Sequence, residues 1–184
     1  MVINNVPIIT ESDRYHISEI ISSQFNEIEA RTNPMLTYPP GKFAAEFEYH
    51  NTFKVDYNNV VYTSDKRPMM SVFNFNKKNT IKIWKILNLL DKRPILNCIR
   101  VFENTTVPMH VDMNKGDIGR EKPIYSIVVK GKDGVIYMSN KLDGSKLVAI
   151  PGLSQFVMFP TMVQHGAQTK DELMDVLQIQ LECI

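Results

Sequence analysis

The sequence predicts a mainly β domain preceded by supporting helices, and three observations predict it. Helical periodicity is confined to the first half of the chain. After Pro94 the texture changes to short β-rich runs. Turn signals separate those runs at close spacing, as in a sandwich or barrel. No repeat, low-complexity tract or long linker interrupts the 184 residues, so one domain is expected, with residues 1–94 as a helical and irregular support and residues 95–184 as the β core.

The first expected helix runs from Ser12 to Arg31, where Ile17, Ile20, Ile21, Phe25 and Ile28 share one face. Ser12 is the expected N-cap and Asn33-Pro34 the stop. Residues 37–67 are rich in Tyr, Phe, Pro and Asn and read as irregular structure, with strands expected at Phe43–Phe53 and Val60–Thr63. A second helix is expected from Asn79 to Lys92, apolar over a wide face around Trp84 and closed by Arg93-Pro94. A helix this apolar must lie against something, most simply a sheet. Seven strands are then expected: 95–103, 107–112, 124–130, 135–139, 146–150, 155–159 and 176–182. Asn114-Lys115-Gly116, Lys132-Asp133-Gly134, Leu142-Asp143-Gly144 and Pro151-Gly152 mark the turns between them.

Composition excludes several function classes. A net charge of +1 carries no nucleic-acid or anionic-membrane footprint. No window approaches the roughly 18 apolar residues of a membrane span, and the opening MVINNVPIITESDR lacks the basic and apolar regions of a signal peptide. Cys98 and Cys183 lie in apolar runs and read as buried thiols, which makes a reducing compartment, the cytoplasm, the expected location. The sequence has no serine-nucleophile elbow, P-loop, zinc-type cysteine cluster or glycine-rich dinucleotide turn.

One constellation carries chemistry. In Val107-Pro-Met-His-Val-Asp-Met113, His110 and Asp112 are two apart at an expected strand end, so both side chains point to one face. His165, in Phe159-Pro-Thr-Met-Val-Gln-His-Gly166, follows an apolar strand and reads as the start of a loop. Two imidazoles and one carboxylate on one face of an octahedron make the facial triad of non-haem Fe(II) oxygenases. Taken alone, His-x-Asp arises by chance in many proteins. Its weight here comes from opening a β-rich half that closes on a second histidine.

Arg100-Val-Phe-Glu-Asn-Thr-Thr-Val-Pro-Met-His-Val-Asp112, with Ile150-Pro-Gly152, Phe156 to Phe159 and His165-Gly166, resembles the catalytic half of the aspartyl/asparaginyl β-hydroxylase-like 2-oxoglutarate oxygenases. The resemblance covers about residues 80–184. It implies a double-stranded β-helix, a jelly-roll of cupin type with the N-terminal helices packed on its sheet. It also implies Fe(II) on His110, Asp112 and His165, with 2-oxoglutarate and dioxygen as co-substrates. The implied reaction is hydroxylation of an unidentified substrate, an amino-acid or peptide side chain being favoured. The Asn-, Lys-, Ile- and Met-rich composition is compatible with a bacteriophage origin.

The sequence departs from the family in one respect. The family places an Arg about ten residues after the distal His, to fork onto the distal carboxylate of 2-oxoglutarate. Here no basic residue follows Lys170. Candidates for that part are Lys130, Lys132, Arg100 and Arg120, with Tyr125 and Ser126 as further co-substrate contacts. Lys130-Gly-Lys-Asp-Gly134 reads equally as an exposed hairpin turn, Arg120 as a solvated loop charge, and the Tyr125 strand as core packing. Two competing functions follow: a non-catalytic jelly-roll binding or virion protein that retains the triad, and a cupin-type metal protein without 2-oxoglutarate.

Overall fold

The computed structural model describes residues 9–31, 54–55, 60–62, 68–110, 123–139, 147–151, 153–158 and 163–180. Helix α1 spans Glu11–Arg31. Its cap is Thr10 rather than Ser12: the Asp13 amide donates to Thr10 Oγ1 at 3.1 Å, and the Thr10 amide donates to the Asp13 carboxylate at 3.0 Å. This reciprocal pair is a capping box, and it holds the Asp13 carboxyl below its usual range, chiefly through the Thr10 hydroxyl. Helix α2 spans Lys77–Ile86, shorter than expected and shifted towards the N-terminus. Asn76 caps it by accepting from the Asn79 amide at 2.8 Å, and the chain leaves the helix at Leu87 before Asn88 takes a φ of 55°.

Eleven strands are described: β1 Lys54–Val55, β2 Val60–Tyr62, β3 Pro68–Asn74, β4 Ile95–Val101, β5 Thr106–His110, β6 Ile124–Lys130, β7 Val135–Ser139, β8 Leu147–Pro151, β9 Gln155–Met158, β10 His165–Gln168 and β11 Met174–Gln180. Three of them, β1, β3 and β10, lie where the sequence predicts no strand. The expected strand at 43–53 lies outside the described residues. One sheet has the order β1-β2-β3-β4-β11-β6-β9 and the other β5-β10-β7-β8. Every pairing is antiparallel. From β4 to β11 the chain passes between the two sheets so that the last strand, β11, lies between β4 and β6 of the larger one. That interleaving defines the double-stranded β-helix, the jelly-roll of cupins.

Two cores separate three layers. Between the helices and the larger sheet lie Ile17, Ile21, Phe25, Ile83, Leu87, Leu96, Cys98, Tyr125, Ile127, Val129, Leu177 and Ile179. Between the two sheets lie Val101, Val107, Val128, Ile136, Ala167, Met174 and Val176, with Met70, Ile99, Met138 and Phe156 packed against them. Alternation along each strand assigns the rest. On β4, Leu96, Cys98 and Arg100 face the helices, while Asn97, Ile99 and Val101 face the second sheet. The thiol of Cys98 is fully buried, which pushes its pKa well above the ordinary value. Among the described residues, no helix is long and apolar enough to cross a membrane.

One end of the roll is tied shut. The turns β4–β5 and β10–β11 are pinned together by Asn104 N to Lys170 O at 2.6 Å, Thr169 N to Thr105 O at 2.9 Å and Thr105 N to Thr169 Oγ1 at 3.1 Å. Nearby, Gly131 opens the β6–β7 hairpin with φ 101°, and a Cβ there would lie 2.7 Å from Met174 Cβ. Glycine is therefore required at that position on both grounds.

Candidate metal centre and inner face

Strand β5 leaves the tied end and finishes at His110, while β10 begins at His165 and runs back towards it. The antiparallel register makes His165 and His110 direct Cα partners at the opposite end. His165 thus opens a strand and not a loop. The sequence hid this strand because His-Gly-Ala-Gln shows no apolar alternation. Its small residues answer to crowding: a Cβ on Gly166 would meet the Val107 carbonyl oxygen at 2.7 Å and the Met109 amide nitrogen at 3.2 Å. Glycine lets β10 close onto β5.

His165 shares its face with Ala167 and, across β7, with Met138 and Ile136, so it faces the space between the sheets. Its Nδ1 lies 2.9 Å from the Val163 carbonyl oxygen. A carbonyl can only accept, so in this contact Nδ1 is the donor, and Nε2 is the ring nitrogen turned away from Val163. Metal-binding histidines are held in this way, the nitrogen away from the metal donating to a backbone carbonyl. Among the described residues no three His, Cys, Asp or Glu side chains gather. The side chain of His110 and the whole of Asp112 lie outside them.

The proposed co-substrate residues separate onto two faces. Arg100 is buried at 4% exposure on the helix side, where Nε and Nη2 donate to the two carboxylate oxygens of Asp175 at 2.8 and 2.9 Å. The guanidinium carbon also stands 4.4 Å over the Phe25 ring centroid. Asp175 sits ten residues beyond His165, where the family carries its arginine, and is the acid of a buried pair.

Lys130 and Lys132 also lie outside the space between the sheets. They line an open groove of about 420 Å³ beneath α1, with Glu11, Arg14, Tyr15 and Glu172. A β-bulge turns Lys130 there. Val176 pairs with Val128 while Asp175 pairs with Lys130, so Val129 is an extra residue. Tyr125 faces the helices too, its hydroxyl donating to Gln155 Oε1 at 2.7 Å, and burial pushes its pKa up to about 12. Arg120 lies outside the described residues. Of the described candidates, Ser126 alone points between the sheets, opposite Gln178 and Phe156.

No family model and no curated protein matches the sequence. The fold is that of cupin-like jelly-roll proteins, and several solved structures resemble it. Vicilin from hazelnut, Corylus avellana, is 13% identical at a TM-score of 0.42, over 64% of this chain and 30% of that one. An RmlC-like cupin protein from Desulfovibrio desulfuricans is 15% identical at 0.32, over 47% and 70%. YcfD, a ribosomal oxygenase from Escherichia coli, is 11% identical at 0.37, over 58% and 29%. The chain matches less than a third of the length of the vicilin and of the ribosomal oxygenase. At such identities the likeness concerns the fold alone.

Proposed function

We propose that this protein is an Fe(II)-dependent oxygenase whose metal is held by His110, Asp112 and His165. The observation that supports it is the pairing of His110 with His165 across β5 and β10, with His165 Nδ1 directed to the Val163 carbonyl. The two are Cα partners beside a register irregularity between His165 and Ala167, and opposed residues of an antiparallel pair are close enough to serve one ion. Asp112, two residues past His110, supplies the carboxylate. When bound by these residues, Fe(II) would activate dioxygen, the oxidant for C–H hydroxylation. The chain's own part is to orient the imidazoles and to exclude water with Val128, Met138, Phe156 and Val176.

In this reading 2-oxoglutarate is the co-substrate, but the described residues do not fit its distal carboxylate. Arg100, Lys130 and Lys132 lie on the helix side of the larger sheet, which leaves Arg120. The same observation favours a second reading, a jelly-roll metal or binding protein that makes no use of 2-oxoglutarate.

Anaerobic titration of the full chain with Fe(II) tests the ligand set. His110→Ala, Asp112→Ala and His165→Ala should each abolish binding. Equal iron content in all three variants and the parent would refute it. Succinate release from 2-oxoglutarate with Fe(II) and ascorbate then separates the two readings.

A further inference from the structure

At the end away from the tied turns, the inner face of the larger sheet carries a polar row where the rows before it are apolar. Asn74, Asn97, Gln178 and Ser126 are successive Cα partners across β3, β4, β11 and β6. The preceding row on the same face is Val72, Ile99, Val176 and Val128. Burial deepens along the polar row. Asn74 is exposed, Asn97 half-buried, Gln178 5% exposed and Ser126 fully buried. With strands about 4.8 Å apart, the row leads roughly 14 Å from solvent into the roll. It lies at the same end as His165, because β11 runs away from the tied turns as β10 runs towards them.

The row is built of hydrogen-bonding groups that the protein does not use. Ser126 Oγ is buried with no hydrogen-bond partner. Among the described residues, the side chains of Gln178 and Asn97 also make no hydrogen bond. A buried hydroxyl left unmet is costly, so Ser126 Oγ is a donor and acceptor waiting for a partner, with the Gln178 and Asn97 carboxamides beside it in the row. The chemistry of the row limits what that is. No lysine or arginine is among the described residues facing the space between the sheets. Among the described residues a carboxylate there meets only neutral donors, and because it accepts and never donates it does not satisfy the oxygens of Asn97 and Gln178. A group that donates and accepts satisfies them all.

We propose that Ser126, Gln178 and Asn97 form a binding subsite for an uncharged ligand group that both donates and accepts hydrogen bonds, an amide or a hydroxyl. The subsite does not depend on the metal assignment. The test is a chelator-treated titration of the full chain, followed by amide resonances, with succinamide, meso-erythritol and succinate as probes. Succinamide or erythritol should shift Ser126 and Gln178 saturably and bind at least about tenfold more tightly than succinate. Preference for succinamide assigns an amide, and preference for erythritol a polyhydroxyl compound. Ser126→Ala should weaken the preferred probe by about tenfold while leaving the melting temperature equal or higher, since it removes an unmet buried hydroxyl. Gln178→Leu should weaken it similarly. Succinate binding as tightly as the neutral probes, or no saturable shift at these residues with either of them, overturns the proposal.

Discussion

Asp175→Ala tests the assignment of Arg100 to structure and not to co-substrate binding. The Asp175 side chain is fully buried and that of Arg100 is 5% exposed, joined by two charge-assisted hydrogen bonds at 2.8 and 2.9 Å. Removing the carboxylate deprives a desolvated guanidinium of that partner, which costs about 3–5 kcal/mol. With a urea m-value of about 2 kcal/mol/M, the unfolding midpoint falls by about 2 M. Trp84, the only tryptophan, reports the transition: it belongs to α2 and its indole donates to the Pro94 carbonyl at 3.0 Å. The double variant Arg100→Met/Asp175→Leu should recover most of the loss, because apolar groups of similar volume remove the desolvation cost with the pair. It should also bind Fe(II) like the parent, since both side chains face α1. A loss under about 1 kcal/mol for Asp175→Ala would contradict the burial argument. Weakened iron binding in the folded double variant would contradict the face assignment.

Two further perturbations follow. Gly166→Ala drives a Cβ into the Val107 carbonyl oxygen and should cost about 1–3 kcal/mol while pushing β10 from β5. Fe(II) affinity should fall with it in anaerobic titration, and parent-like affinity in a folded variant would show that strand closure does not set the site. Tyr125 ionises near pH 12 in the folded protein against about 10 unfolded, so burial favours the neutral phenol. That contribution is complete below about pH 10 and lost as pH rises through 12. Urea midpoints at pH 9 and 11 should therefore fall more in the parent than in Tyr125→Phe, and parallel falls would refute it.

Much of the roll is legible in the sequence because its strands are short, apolar and punctuated. Ile124–Lys130 and Val135–Ser139 were bounded correctly, since Lys132-Asp133-Gly134 leaves no other place for a turn. What the sequence hides is phase. On β4, Leu96 and Cys98 alternate with Ile99 and Val101, and both sets are buried in different cores. A strand apolar on both faces gives no sign of which way Arg100 turns. The answer lies 75 residues away in Asp175.

Lys130 shows the same limit more sharply. Counting in twos from Ser126 and Val128 sends Lys130 between the sheets, as a co-substrate anchor requires. The extra residue Val129 reverses that, and nothing local announces the bulge. Its neighbourhood involves α1: Arg14 donates to the Val128 carbonyl, while the Val128 amide donates to Ser154. One inserted residue thus moves a cation from the inner face to the groove beneath the helix. The inner face keeps the serine that the same counting found, with its unmet hydroxyl beside Gln178 and Asn97. The ligand of the roll is constrained by this exchange as much as by the two histidines. At the end away from the tied turns, the described residues of the larger sheet present a neutral, hydrogen-bonding row opposite the strands that carry His165 and His110.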